Sequence, residues 1–294
     1  MIYNALEYHT PPRMIYENDV IRYANATSVR RRIPRVIHQI YRTHDVPSIW
    51  NATVQSVMEK NIGEFKYRRW SDAEMNAFVK KHEPQFYQKT YITYPYDIQR
   101  ADAFRYVLLF HFGGIYIDMD NSCNRPFRDL LVTLESLEPN ATYLAAFPQH
   151  PTFGVENDFL ISSAGHPLYR QFISRLHLFN HNYIFHFWTI LLSAGPLYIS
   201  IQERLFTPSE QAVVRLLDLT VFRPMFTGKE NGYTWIHRDA HFLIYIAHRT
   251  DIILWYCKMF IIVIVLFILS KQCKQKQKMI FSYIYSHIRL NNEK

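Results

Sequence analysis

Two aspartates, Asp118 and Asp120, form a D-x-D pair after a short apolar segment that is entered through Gly113 and Gly114. Side chains two positions apart on a strand share one face, so both carboxylates can reach one hard cation. Mg²⁺ and Mn²⁺ prefer oxygen ligands, and such ions often bridge substrate phosphates. The alternative is a pair of solvated acids at a strand exit, because so short a motif often arises by chance. The preceding helix, glycine pair and apolar strand favour the metal hypothesis.

A second pair, Asp102 and Arg105, lies three positions apart on a predicted helix that ends just before the D-x-D strand. Residues at this spacing are neighbours on one helix face, and an ordinary intrahelical ion pair is the commoner outcome. The functional hypothesis is that the forked guanidinium of Arg105 binds a phosphate, while Asp102 accepts hydrogen bonds from sugar hydroxyls. Both pairs could then serve a single site.

The segment Gly232–Asp239 carries Trp235 and His237. A tryptophan there could cover a nucleotide-sugar, and a histidine could complete a metal shell. By itself, this segment favours simpler roles: Trp235 packs in the core, and His237 lies at the surface or is hydrogen-bonded within the core. The chain has no H-E-x-x-H zinc pattern, no G-x-G-x-x-G loop and no G-x-S-x-G nucleophile elbow.

Hydrophobic periodicity and breaker residues predict alternating strands and helices around these pairs. The clearest helix is Asp97–Phe112, which is ended by Gly113-Gly114 and has an apolar stripe made of Ala101, Phe104, Leu108 and Phe112. The other predicted elements are a strand at Ile33–Tyr41, a helix at Ser48–Lys60, a strand at Phe65–Trp70, a helix from the capping box Ser71–Glu74 to about Lys81, and a strand at Ile115–Met119. This order favours an α/β fold with a sheet covered on both faces.

The composition supports a folded core, because 49% of the 294 residues are hydrophobic. Net charge is +8, but residues 271–294 hold six basic residues and one acidic residue, so residues 1–270 carry only +3. Since the excess belongs to a tail and no nucleic-acid motif accompanies it, no nucleic-acid partner is expected. Residues 1–32 are polar and are predicted to form an irregular N-terminal arm.

The segment Ile252–Ser270 contains nineteen residues with a single charge, Lys258, which predicts a transmembrane helix. A buried C-terminal helix is the alternative. Lysines follow at once, and positive charge prefers the cytoplasmic side, so 271–294 is predicted to be a basic cytoplasmic tail. No apolar run within Met1–Val20 suggests a signal peptide. Either the C-terminal span inserts the protein, or an N-terminal anchor is missing from this chain.

The sequence resembles glycosyltransferase family 32 over roughly residues 33–245. Ile33–Tyr41 (IPRVIHQIY) is similar to the opening strand of that family. Arg100–Tyr106 (RADAFRY), followed by Gly113–Asp120 (GGIYIDMD), is similar to its central signature. Short matches in the expected order follow at Asn157–Phe159, Gly165–Pro167, Ala194–Pro196 and Thr234–Trp235. Within the family, Tyr94–Asp102 (YPYDIQRAD), with Tyr41 where other branches have Trp, resembles the fungal inositol-phosphoceramide mannosyltransferases.

The resemblance implies a Rossmann-like GT-A domain, here residues 33–248, and a divalent metal, Mn²⁺ or Mg²⁺. It implies retention of anomeric configuration; because no carboxylate nucleophile is evident, a same-face displacement is expected. The branch implies transfer of mannose from the nucleotide-sugar GDP-mannose to inositol phosphorylceramide, a membrane lipid acceptor. It also implies a Golgi or ER membrane location with a lumenal catalytic domain, and a membrane regulatory subunit as a partner.

The resemblance assigns a role to each matching residue. Asp118 and Asp120 would be the metal pair, and Asp102 would hold donor sugar hydroxyls while Arg105 meets sugar or phosphate. The residues lining the nucleotide pocket would be His38, Gln39, Tyr41 and Tyr116, with Trp235 approaching the diphosphate. Relatives often have His directly after this tryptophan, whereas here Ile236 intervenes, so His237 departs from the pattern as a third metal ligand.

Three alternatives stay open at this stage. A related branch elongates N-glycans of glycoproteins, but Tyr41 and the Tyr94–Gln99 segment speak against it. A haloacid-dehalogenase-type phosphatase also uses D-x-D after an apolar strand, although Ser122 stands where such enzymes usually have Thr or Val. The third is a non-catalytic lipid- or glycan-binding accessory subunit, which the intact Asp102, Arg105, Asp118 and Asp120 argue against.

Overall fold

A mainly parallel β-sheet organises the residues that this computed structural model describes, which are 14–27, 29–150, 154–229 and 239–240. Contacts divide the chain into two units, Met1–Trp235 and Ile236–Lys294, and every element named below lies in the first. The strands are β1 (Met14–Ile15), β2 (Val36–Ile40), β3 (Lys66–Trp70), β4 (Gly114–Ile117), β5 (Asn121–Cys123), β6 (Tyr143–His150), β7 (Gly154–Val155), β8 (Phe159–Ser162), β9 (Ala212–Leu217) and β10 (Thr227–Lys229).

Helices connect most of the strands, and all helices and strands predicted between Ile33 and Met119 are present. The α-helices are α1 (Glu17–Tyr23), α2 (Asn51–Lys60), α3 (Asp72–His82), α4 (Pro84–Lys89), α5 (Asp97–Phe112), α6 (Phe127–Leu137), α7 (Pro167–Phe179), α8 (His186–Ser193), α9 (Pro196–Arg204) and α10 (Leu219–Phe226). Short 3₁₀ helices lie at Ser48–Trp50 and Tyr91–Thr93. The Ser71–Glu74 capping box closes at the start of α3 as predicted.

The sheet order is β1-β9-β6-β8-β4-β2-β3, with β7 paired to β6. Along this path β8 runs antiparallel to both of its neighbours, and the other pairs are parallel. Because parallel strands end at the same edge, the carboxyl ends of β2 and β4 lie side by side, where ligands bind in open α/β sheets. The predicted α/β class is confirmed.

Strand β4 separates two hydrophobic cores. Ile115 and Ile117 point to a core shared with α1, α2 and α6, whereas Tyr116 joins the core built with α3, α5, α7 and α9. This alternation follows from the period of two in a strand, with both faces covered by helices. Tyr116 is thereby directed toward α5.

Helix α5 has the predicted bounds, but the predicted one-sided apolar stripe is wrong. Phe112 is 41% exposed and Ala101 is only half-buried, whereas every residue from Asp102 to Leu109 is buried. Helices α3, α7 and α8 contact α5 in addition to the sheet, so almost its whole circumference is enclosed. Asp102 and Arg105 are therefore a charged pair inside the protein.

The N-terminal segment is part of the fold, and its prediction as an irregular arm is wrong for residues 14–23. Strand β1 pairs in parallel with the end of β9, and α1 contacts α6. Val20 is buried in the core beneath α6. A few apolar residues are enough to order this segment, because β9 and α6, which are distant in sequence, supply its pairing and packing partners.

Strand β4 ends at Ile117, so Asp118 and Asp120 lie in the turn after it rather than on the strand. The backbone N–H of Asn121 donates to the carbonyl of Asp118 (3.1 Å), which closes this turn. The strand-periodicity argument for a common face consequently does not apply to the pair.

In the part of the chain that the structure describes, none of the helices combines the length and apolar character needed to cross a membrane. The predicted span Ile252–Ser270 and the tail that follows it lie outside those residues.

Candidate active site

The two acid-containing pairs of the sequence meet at one place, at the carboxyl end of β4. Arg105 Nη2 lies 2.9 Å from Asp102 Oδ1 and 3.4 Å from Asp118 Oδ1. The hydroxyl of Tyr116 donates a short hydrogen bond to the same Asp118 oxygen, and the Arg105 guanidinium stacks 4.6 Å from the Tyr116 ring centroid. Helix α5 and strand β4 thus bring four of the predicted site residues into direct contact.

Asn157 closes this network from a third direction. Its side-chain amide donates to Asp102 Oδ1 (3.1 Å), and its backbone carbonyl accepts from Arg105 Nη1 (2.6 Å). Arg105 and Asn157 both contact Asp102 through Oδ1. The sequence matched Asn157 to the family pattern without assigning it a role; only its position opposite α5 reveals one.

Burial determines the protonation of this network. Loss of water raises the pKa of Asp102, Arg105 opposes the rise, Asp118 adds to it and Asn157 opposes it, and together they bring this pKa to about 7. Burial alone would lower the pKa of Arg105, but the charges of Asp118 and Asp102 outweigh it and hold that pKa above its ordinary value. Arg105 is therefore a permanent cation. Both of its terminal nitrogens are engaged by protein acceptors, and its predicted contact with phosphate stays a prediction.

The D-x-D turn leaves its two acids partly exposed. Asp118 and Asp120 are half-buried on either side of Met119, which is 5% exposed and whose carbonyl accepts from Thr53 (2.6 Å). Among the described residues no group of three His, Cys, Asp or Glu side chains could hold a metal by itself. Two carboxylates do fit a Mg²⁺ or Mn²⁺ ion that takes its remaining ligands from water and substrate phosphates.

Arg223, from α10, ties this turn to another acidic segment. Its Nη1 donates to Asn121 Oδ1 (3.0 Å), and its Nη2 donates to Asp158 Oδ2 (2.8 Å) and to Glu156. The backbone carbonyl of Asp158 in turn accepts from the N–H of Asp118 (2.8 Å). Arg223 therefore holds both Asn121, which follows the D-x-D pair, and Asp158, whose carbonyl orients Asp118.

Gln39 reaches the same turn from β2. It is fully buried, accepts from the Tyr67 hydroxyl (2.6 Å), and its amide lies 3.5 Å from the Asp118 carbonyl. Tyr41 follows at the end of β2, where it is half-buried and packs edge-on against Trp50 at 5.8 Å. Gln39 thus borders the D-x-D turn, and Tyr41 follows at the same end of β2; the nucleotide pocket stays a prediction.

His38 has a structural position. It is 1% exposed, its Nδ1 accepts from the Trp70 indole (3.2 Å), and its Nε2 bonds the Gly113 carbonyl (3.1 Å). Burial lowers its pKa to about 4, so the ring is neutral and both nitrogens are occupied within the protein. It fastens the end of α5 to β2, and the lining role implied by the resemblance is not visible in its contacts.

The glycine pair allows α5 to lead directly into β4. Gly113 and Gly114 have φ of +66° and +100°, which glycine adopts readily. A Cβ on Gly114 would lie 2.5 Å from the Val36 carbonyl, and one on Gly113 would lie 2.6 Å from the Ala164 nitrogen. The pair therefore sets how closely the site-bearing helix and strand approach.

Two predicted site residues, Trp235 and His237, lie outside the described residues. Sequence reasoning gave no role to Asn157 and passed over Arg223 and Asn121. Asn121 follows the D-x-D pair directly, which is a usable local signal. Arg223 has none, because its partners are 65 to 102 positions away.

Comparisons with known proteins place these residues among sugar-transferring enzymes. The model of the glycosyltransferase sugar-binding region containing a DXD motif matches residues 47–141. The inositol phosphoceramide mannosyltransferase 1 of Schizosaccharomyces pombe is 30% identical over 94% of this chain and 87% of its own length. The mannosyl phosphorylinositol ceramide synthase CSH1 of Saccharomyces cerevisiae is 32% identical over 82% of this chain and 58% of its own length. The solved PaToxG glycosyltransferase has a TM-score of 0.43 and 15% identity, covering 59% of this chain and 69% of that one.

Proposed function

Because this chain belongs to the glycosyltransferase family whose sugar-binding region contains a DXD motif, we propose that it transfers mannose from GDP-mannose to inositol phosphorylceramide. The names of the two fungal relatives, which specify this lipid class, support the acceptor. The observation that carries the proposal is the buried Asp102–Arg105 pair, whose guanidinium reaches Asp118 of the partly exposed D-x-D turn. A GT-A arrangement of the sheet and helices belongs to the same proposal.

Each residue of the network has a part in the proposed transfer. Asp118 and Asp120 would hold a divalent cation, Mn²⁺ or Mg²⁺, which would supply positive charge to the departing diphosphate. Arg105 fixes Asp118 in place and keeps the buried acids from repelling each other. Asp102, whose Oδ1 is already bonded, accepts sugar hydroxyls through Oδ2. We further propose that the anomeric configuration of the mannose is retained, because the acceptor attacks on the same face of the sugar from which the diphosphate leaves.

The lipid acceptor implies a membrane setting. We propose a lumenal catalytic domain in the Golgi or ER, anchored by Ile252–Ser270 and associated with a membrane regulatory subunit. The apolar character of this segment and the lysines that follow it support the proposal.

The test is Asp120→Asn in the full chain, assayed in membranes with labelled GDP-mannose and inositol phosphorylceramide, with Mn²⁺ or with a chelator. Loss of one preorganised electrostatic contact to the transition state costs about 3–4 kcal/mol, so transfer should fall at least about a hundredfold. The matched control is Asp97→Asn, which removes an acid that is 70% exposed on α5 and should leave transfer unchanged.

Each failure has a distinct meaning. Unchanged metal-dependent transfer by the Asp120→Asn protein would remove the metal assignment. Label that enters glycoprotein rather than lipid would replace the acceptor with the N-glycan alternative. Absence of donor turnover by the unaltered protein, with every acceptor, would favour a non-catalytic subunit.

A further inference from the structure

A loop rich in aromatic residues projects from the protein between α7 and α8. This segment, residues 180–188, comprises the connection and the first three residues of α8; it is here called the aromatic loop and reads NHNYIFHFW. Ile184 is 88% exposed and Phe185 is 36% exposed, while Tyr183 and Trp188 are half-buried beside them. So large an exposed aliphatic side chain next to aromatic residues is typical of a contact surface.

The protein holds Ile184 outward against its backbone preference. Its φ is +71°, a left-handed conformation in which a β-branched residue is a genuine outlier. The Ile184 N–H donates to Asn182 Oδ1 (3.0 Å), and the Tyr183 N–H donates to Thr189 Oγ1 (3.0 Å), which fixes the loop on α8. Strain of this kind persists where the surroundings over-determine it, often at functional positions.

The aromatic loop adjoins the start of the site-bearing helix. Asn180 donates to Thr93 Oγ1 (2.8 Å), and the His186 ring lies 4.3 Å from that of Tyr96, the residue before α5. Ile92, on the connected 3₁₀ turn, is 52% exposed and extends the apolar surface. Asp102 follows the first residue of α5 by five positions, about 8 Å along the helix axis.

The charge around the aromatic loop suits an anionic lipid surface. The sequence has no Asp or Glu between Asp158 and Glu203, and two arginines lie in this stretch. Arg170 is ion-paired with Glu83, whereas Arg175 donates to the uncharged Gln202. Acids would be repelled by anionic headgroups, whereas arginines are attracted to them. Tyr and Trp are also the residues that prefer the boundary between water and hydrocarbon.

We propose that the aromatic loop inserts Ile184 and its aromatic neighbours into the surface of the bilayer that contains the acceptor lipid. The inference rests on the proposed function for the identity of the acceptor, and on exposure, backbone conformation and charge for the contact itself. Insertion would place the start of α5, and with it the site, against the headgroup layer.

The test reconstitutes the full chain into phosphatidylcholine vesicles containing phosphatidylinositol and a nitroxide-labelled lipid. A fluorophore is attached through Ile184→Cys, in a background in which Cys257 and Cys273 are replaced by alanine and Cys123 stays buried. The matched control is Ile62→Cys, an isoleucine that is 83% exposed at the end of α2, on the opposite face of the sheet. We expect the lipid nitroxide to quench the probe at position 184 and to leave the probe at 62 bright.

A second measurement links docking to catalysis. Ile184→Asp should raise the KM for the vesicle-borne acceptor about tenfold, the value of removing one buried isoleucine from an apolar phase, and leave the KM for the donor unchanged. Ile62→Asp should change neither constant.

The outcomes separate this inference from the proposed function. Preferential quenching at position 184 supports docking even in a protein that transfers no mannose. Equal quenching at both positions, or none at 184, while the vesicle lipid is mannosylated, would overturn docking and leave the function intact. Absence of quenching at position 184 is also the result expected if a protein partner, or another part of this chain, covers the loop.

Discussion

Replacing Asp102 with asparagine should make the protein more stable at pH 8 while abolishing transfer. Asp102 is 3% exposed, and burial raises its pKa from 3.8 to about 7 in spite of Arg105. In the unfolded chain this carboxyl is in water and has its ordinary pKa. The folded protein therefore keeps a proton between about pH 4 and 7 that the unfolded chain has released.

The sign and size of the change in the free energy of unfolding follow from this difference in pKa. Because the folded-state pKa is the higher one, the contribution of Asp102 to stability is fully present below its unfolded pKa and is lost as the pH rises through about 7. A pKa difference of about 3, at about 1.4 kcal/mol for each unit, amounts to about 4 kcal/mol. Asparagine has the same shape and a hydrogen-bonding Oδ1 but no charge, so the variant escapes this loss. Arg105 keeps Asp118 as its counter-ion.

The assay is urea unfolding of the full chain in detergent with a chelator, followed by tryptophan fluorescence. Trp70, which is 1% exposed, provides a core signal. The free energy of unfolding of Asp102→Asn should match that of the unaltered protein near pH 4 and exceed it by about 4 kcal/mol near pH 8. Asp97→Asn, on the exposed ion pair of the same helix, should track the unaltered protein at every pH.

A destabilised Asp102→Asn protein at pH 8 would refute the reasoning. It would mean that Arg105 and Asn157 compensate the buried carboxylate fully and that its pKa stays near the ordinary value. Loss of transfer without the gain in stability would leave Asp102 as a sugar-binding residue but remove the electrostatic argument.

Two further predictions concern buried positions of the framework, the N-cap of α7 at His166 and the start of β4 at Gly114. Burial depresses the pKa of His166 from 6.5 to about 4, so its contribution to stability is present above about pH 6.5 and is lost as the pH falls through about 4. His166→Asn, which keeps an N-cap acceptor for Leu168, should reduce this acid-induced loss by about 3 kcal/mol in urea titrations, and an unchanged pH slope would contradict it. Gly114→Ala should cost at least about 3 kcal/mol, because its Cβ would lie 2.5 Å from a carbonyl oxygen at φ +100°. Gly63→Ala, at φ +80° with open space around it, should cost only about 1 kcal/mol, and equal melting temperatures of the two variants would count against the steric argument.

Sequence signals predicted a helix or strand well where the segment had both a clear apolar pattern and a residue that ends it. Helix α5 has a glycine stop and a long apolar run, and its bounds from Asp97 to Phe112 are those expected. The D-x-D pair, the Asp102–Arg105 spacing and their meeting at one strand end were likewise accessible from the sequence. Side-chain spacing on one helix and the order of elements along the chain suffice for such inferences.

Burial and distant pairing were not accessible in this way. The apolar stripe of α5 suggests one buried face, but α3, α7 and α8 together enclose the helix. Its long apolar run agrees with that enclosure but does not identify the partners. Strand β1 is only two residues long and is defined by its pairing with β9. Tertiary partners decided both cases, and these partners are remote in the sequence.

Arg223 has a consequence for how the site comes into being during synthesis. The D-x-D turn leaves the ribosome about a hundred residues before the arginine that clamps Asn121, Glu156 and Asp158 around it. The region matched by the family model, residues 47–141, therefore contains the D-x-D turn but not the arginine that holds it. A nascent chain stalled or truncated before α10 would contain every acid of the motif in a turn that still lacks this clamp.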